Sequence, residues 1–125
     1  MSGLLMAQVA AAGLAAVVFR LGLEPRVAGL IAGSAFVAVG IFGARVGWAS
    51  RGGGLFGYVI FFMALVHLLG VAIPMLGFRL LHWDEPFSKV AVWGLSGPDF
   101  HALSTRLYGI WMLFTAVAWW KLRGR

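Results

Sequence analysis

The chain has no cysteine, which excludes disulfides, thiolate metal sites and thiol nucleophiles and leaves the redox compartment unmarked. Acidic residues are nearly as scarce. Asp and Glu number 4 in 125 residues, as Glu24, Asp84, Glu85 and Asp99. None lies within a long apolar run, so no carboxylate pair is placed there for acid–base chemistry. Asp84 and Glu85 are sequence neighbours, and on a helix neighbours point about 100° apart rather than at one substrate atom. Charge of either sign is thin, at 11% against about 25% in soluble domains. No polar stretch is long enough for a separate soluble domain. The formal net charge of +6 invites a nucleic-acid reading, but base-stacking aromatics in a basic groove need a water-exposed face. Here the basic residues other than Arg106 stand at or near the ends of apolar runs, where they meet anionic head groups.

What the chain does have is apolar surface, with 62% hydrophobic residues. Four runs, residues 4–21, 27–48, 55–76 and 101–120, are each about long enough to cross a bilayer as a helix. The expected fold is therefore all-α, a single integral membrane four-helix bundle over residues 1–125. The first run lacks a preceding basic region and is followed by Arg20 and Arg26, so it reads as a retained helix rather than a cleaved signal. Pro25 opens the turn to the second helix, and Ser50, Arg51 and Gly52 to Gly54 form a flexible polar hinge before the third. Pro74 and Gly77 are expected to close the third helix.

Residues 78–96 then mix Arg79, His82, Asp84, Glu85 and Lys89 with Trp83, Phe87 and Trp93. That is too polar to span and too apolar for an ordinary loop, so an amphipathic segment lying at the membrane interface is expected. Ser96, Pro98 and Asp99 read as the start of the fourth helix, supplying a cap, a first-turn proline and a charge that complements the helix dipole. Counting Lys and Arg gives a tie. Arg45, Arg51, Lys121, Arg123 and Arg125 lie on one side, and Arg20, Arg26, Arg79, Lys89 and Arg106 on the other. The basic tail beside Trp119 and Trp120 favours both termini in the cytoplasm of a bacterial inner membrane.

The second run carries Gly29, Gly33, Gly40, Gly43 and Gly47, two small-xxx-small pairs linked at heptad-like spacing. In lipid, helices associate through close backbone approach rather than a hydrophobic drive. This stripe makes the second helix a packing centre, serving either the chain's own bundle or another copy or subunit.

The rare polar residues can be placed by depth at about 1.5 Å per residue. His67, Arg106 and Ser34 then share a level some 18–21 Å from the entry of their helices, with Thr105 and Tyr108 beside Arg106. Asp99 and His101 lie nearer the water. These seven residues are the candidate ligand-binding set, forming a polar layer in one leaflet. Arg106 is the sharpest member, because an arginine near the bilayer centre costs about 2.5–3.5 kcal/mol on insertion scales and marks a site or a counter-charge. His67, with Ala64 and Gly70 along its face, has the residue type of an axial haem ligand. No catalytic set is recognisable, and His82, Asp84, Glu85 and His101 match no strong metal spacing.

Two short similarities occur. Gly77, Phe78 and Arg79 with Asp84 are similar to the glycine, arginine and aspartate pattern of the cytochrome b anchor of succinate dehydrogenase, but Leu80 stands where that family has histidine. Residues 106–111 are similar to a segment of the small four-helix sterol-scaffold family, but fall in the last helix rather than an earlier one. Each is too short to carry a family assignment.

The expected function is that of an accessory or scaffold subunit acting through helix packing rather than an enzyme. Its polar layer would bind lipid or a partner, and its companions would be membrane lipids and either further copies or a larger membrane complex, not nucleic acid. The alternatives are a haem- or quinone-binding redox module using His67 and a small dimeric anion transporter or channel using Arg106. A metal site is not expected.

Overall fold

A computed structural model describes residues 1–81 and 91–122, with the side chains of Pro25 and Leu122 outside the description. The expectations placed on His82, Trp83, Asp84, Glu85, Phe87, Lys89, Arg123 and Arg125 therefore lie outside the described residues. Four helices carry the fold: α1 (Ser2–Arg20), α2 (Pro25–Ala49), α3 (Leu55–Leu81) and α4 (Gly97–Leu122). Among the described residues three of them, α1, α2 and α3, are long and apolar enough to cross a membrane. Helix α4 is as long, but Arg106, Ser104, Thr105 and Tyr108 dilute its apolar run.

Helix α2 is the hub. It packs along α1 on one side and along α3 on another, while α4 lies against α1 and α3. Its glycines face α3 and α4. A Cβ at Gly33 would stand 3.2 Å from the Leu76 side chain, and one at Gly40 would stand 3.0 Å from Leu68 and 3.2 Å from His67. At Gly43 it would overlap the Trp111 indole, and at Gly47 the backbone of Phe61. Gly29 lies under the Arg79 side chain. All five positions of the stripe are thus filled from within the chain. The resulting core is Leu4, Ala11, Val39, Ile60, Ala64, Trp111 and Ala118, aliphatic residues around one large indole. Outside it the helices are apolar too: Met6, Phe62 and Leu113 are each more than 60% exposed.

The turn between α2 and α3 is tighter than the flexible hinge expected from its composition. Arg51–Gly53 forms a 3-10 turn, the Ser50 amide donates back to Val46 and Gly47, and Gly57 lies against the Ser50 backbone where no Cβ would fit. Arg51 donates to the Trp48 carbonyl at 2.6 Å and lies 4.0 Å over the Trp48 ring.

Helix α3 departs from expectation at its far end. It does not close at Pro74 but continues to Leu81, after a π-helical turn over Leu68–Ala72. A proline inside a helix has no N–H for the carbonyl four residues back and crowds it, and extra local width is one way a helix accommodates that. Here the carbonyl in question is Gly70, and it accepts instead from the indole N–H of Trp93 at 2.8 Å. Trp93 sits in a two-residue turn with Gly94, both at positive φ (+54° and +79°), joining β1 (Ala91–Val92) to β2 (Leu95–Ser96). Two positive φ angles are the signature of a hairpin turn that follows strand twist. A tryptophan at the first of them is strained, and its bond to Gly70 holds it there. Val92 and Phe100 pack beneath on Val71, Met75 and Phe78.

The expected interfacial segment is therefore redrawn where it is described. Residues 78–81 belong to α3, and 91–96 form a hairpin clipped to the bent part of that helix, which adds a small antiparallel ribbon to an otherwise helical fold. The hairpin runs directly into α4, where the Asp99 amide donates to the Ser96 hydroxyl at 3.3 Å and caps the helix start.

Candidate functional site

The polar side chains buried among the described residues are Gln8, His67 and Thr115. With Tyr108, Trp111 and the Phe36 carbonyl of α2 they form one cluster that draws on all four helices. Gln8 of α1 donates from Nε2 to Thr115 Oγ1 at 3.1 Å. Thr115 in turn donates to the Trp111 carbonyl at 2.9 Å, one helical turn back. The Tyr108 hydroxyl donates to the backbone carbonyl of Gln8 at 2.6 Å, so α4 grips Gln8 of α1 twice, across sequence separations of 100 and 107 residues.

On the other side of Trp111 lies His67 of α3, its ring stacked on the indole at 5.1 Å and 26°. The imidazole Nε2 is 3.0 Å from the carbonyl oxygen of Phe36 on α2. A carbonyl only accepts, so Nε2 carries the proton of that bond. Phe36 closes edge-on over His67 at 6.0 Å and over Tyr108 at 5.2 Å, and Tyr108 meets Trp111 edge-on at 5.7 Å. Edge-to-face and offset pairs at these spacings are the favourable aromatic geometries.

Glycine makes the arrangement possible. The imidazole reaches the α2 backbone only because Gly40 has no Cβ to meet its Cδ2, and Trp111 fits only because Gly43 leaves its Cζ2 corner room. The stripe and the polar cluster are thus two sides of one packing solution.

The single-level layer expected from depth alone divides in two. His67 and Tyr108 join the cluster. Ser34, Thr105, Arg106, Asp99 and His101 are exposed on the outer faces of their helices. Depth along a helix says nothing of azimuth: two residues on from Arg106, Tyr108 is turned by about 200° at 100° per residue, so the two cannot face the same way. Thr105 spends its hydroxyl on the His101 carbonyl at 2.9 Å. Arg106 has no hydrogen-bond or ion-pair partner among the described residues.

Sequence reasoning missed Gln8, Trp111 and Thr115. Gln8 had a signal, since it is the only polar residue between Ser2 and Arg20, and a lone amide in an apolar run needs a partner on another helix. Trp111 had none, because an indole in an apolar helix looks like ordinary packing.

The chemistry open to this cluster is narrow. A haem iron on His67 Nε2 would have to displace the Phe36 carbonyl and part the rings of Phe36, Tyr108 and Trp111, so these residues do not fit that group. Among the described residues no three His, Asp or Glu side chains come together as a metal site. Comparison with protein-family models, with curated proteins and with solved structures found no match in any of the three.

Proposed function

We propose that this chain is a membrane-embedded accessory subunit that performs no reaction itself. In this reading α4 crosses the bilayer together with α1, α2 and α3, and the unit joins a larger membrane complex through its outward apolar surface. Arg106 meets the acidic group of what lies alongside, either a lipid phosphate or a carboxylate of the companion chain. Both termini lie in the cytoplasm of a bacterial inner membrane, with Trp119, Trp120 and Lys121 at the head-group level.

The observation that carries this reading is the contrast between the two halves of the polar set. Inside the bundle, Gln8, His67, Tyr108 and Thr115 bond to one another or to backbone, which leaves the cluster structural. Outside it, Arg106 is exposed part-way along α4 without a counter-charge among the described residues. In hydrocarbon such a residue costs about 2.5–3.5 kcal/mol unless something anionic compensates it. The outward aim of Arg106 equally suits an anion path at the seam of two copies, and that second reading predicts liposome flux that is lost in Arg106→Leu.

The test is native mass spectrometry of a tagged chain released from its own membrane in mild detergent. The expected result is wild type carrying a companion chain or retained anionic lipid, with that mass lost in Arg106→Leu and kept in Arg106→Lys. A bare single chain in wild type, or adducts indifferent to Arg106→Leu, would refute the proposal.

A further inference from the structure

Two buried polar atoms at the middle of the bundle have no hydrogen-bond partner among the described residues: Oε1 of Gln8 and the indole Nε1 of Trp111. Gln8 is 0% and Trp111 1% exposed, so bulk solvent does not reach either. Unmatched groups of this kind are rare in native interiors and ask for an explanation. The two are chemically complementary, since one only accepts and the other only donates.

They also belong to one small network. The amide of Gln8 is held by Nε2 on Thr115 Oγ1, and Thr115 is tied by its own proton to the carbonyl of Trp111. The Gln8 amide therefore lies alongside the single turn of α4 that carries Trp111 and Thr115. Rotating that amide by half a turn does not resolve the mismatch. The Thr115 proton would be drawn to Oε1, and two donors, the amide N–H and the indole N–H, would remain with no acceptor between them. From α2, Gly43 lies against the Cζ2 corner of the indole, beside the N–H, and presents no side chain there.

The geometry points to a binding site for one internal water, held by Trp111, Gln8 and Thr115 between α1 and α4. The water accepts from the indole N–H and donates one proton to Gln8 Oε1. Its second proton meets the remaining lone pair of Thr115 Oγ1. That gives three hydrogen bonds, about the usual number for an internal water, and it satisfies every polar atom of the three side chains. The ligand is hydroxylic because the site offers both a donor and acceptors, and small because the unmatched atoms that would hold it are buried out of reach of solvent. The site rests on the core geometry alone and does not depend on what the outer surface binds.

The experiment is water-selected cross-relaxation on protein carrying ¹⁵N-labelled tryptophan in deuterated detergent. The Trp111 indole signal is assigned by its loss in Trp111→Phe. The expected result in wild type is a cross-peak at the water frequency on that indole proton, with the sign of a long-lived water and the downfield position of a hydrogen-bonded N–H. In Gln8→Met the cross-peak is expected to be lost and the indole proton to move upfield. Wild type alone decides the matter if that variant does not fold. An indole proton without the water peak overturns the proposal, whether it lies upfield, as in a dry unbonded N–H, or downfield, as in direct contact with Gln8.

Discussion

Replacing Gly43 by alanine tests the central packing relation of the fold. The added methyl would overlap Cζ2 of Trp111, lie 2.9 Å from its Cη2 and stand 3.3 Å from the Ala64 methyl. The indole has nowhere to go. His67 stacks on one face, Tyr108 meets its edge, and His67 is itself pinned to the Phe36 carbonyl. Inserting a methylene-sized group into a core that cannot yield costs about 1–3 kcal/mol. Alanine also gains up to about 1 kcal/mol of helix propensity over glycine, which works in the opposite direction and must be removed by a control.

Gly13→Ala is that control, because a Cβ there meets nothing within 4 Å and carries the propensity gain alone. The difference between the two variants isolates the clash. At about 1.4 kcal/mol per tenfold, it corresponds to roughly a 5- to 140-fold shift in the unfolding equilibrium. The assay is reversible unfolding in mixed micelles by titration with sodium dodecyl sulfate, followed by far-ultraviolet ellipticity. Adding Trp111→Phe to Gly43→Ala deletes the colliding atoms, so the pair should be less damaging than the sum of its parts, with coupling of about 0.5–3 kcal/mol. Equal midpoints for Gly43→Ala and Gly13→Ala, or strict additivity with Trp111→Phe, would refute the reasoning.

Two further outcomes follow from the same structure. In a double-mutant cycle of Gln8→Leu and Thr115→Val, the amide–hydroxyl bond should appear as a coupling near 0.6 kcal/mol and not above about 1.7 kcal/mol, the range found between helices in membranes; no measurable coupling would mean the bond is not formed. Trp93→Phe should loosen the hairpin from α3 by about 0.5–1.5 kcal/mol, read as faster amide exchange over residues 91–96. The same change in a Pro74→Ala background should cost less, because alanine restores an N–H four residues after Gly70, and equal costs in both backgrounds would count against the clip.

The helices were legible because apolar length and glycine spacing are properties of one segment at a time. The end of α3 was not. Pro74 reads as a stop when the freed Gly70 carbonyl has no visible partner, and that partner, Trp93, lies 23 residues on in a segment whose composition suggests a headgroup-level aromatic. Helix α4 exposes the same limit from another side. Arg106 and Tyr108 share a depth but not a face, and azimuth is fixed by which residues of α1 and α3 the helix packs on. Gln8 was legible in principle, since the cost that singles out Arg106 applies to any polar group in an apolar run.

The interior polar groups and the glycine stripe are consequences of one constraint. Between helices whose outer faces are as apolar as their inner ones, apolar contact alone does little to choose a register, and contacts that are polar or unusually close must choose it. Gly40 and Gly43 bring His67 and Trp111 up to the α2 backbone, Phe36 supplies the acceptor, and Gln8 supplies both a side-chain donor for Thr115 and a carbonyl for Tyr108. Sliding α4 by one residue against α1 would break both of its bonds to Gln8 at once, while sliding it by a full turn would carry the indole away from the room at Gly43. The bundle is thereby fixed in one register by the bonds that Gln8, His67, Tyr108 and Thr115 make. A side chain held in this way is committed to the packing of its own helices, whatever the outer face of α4 meets.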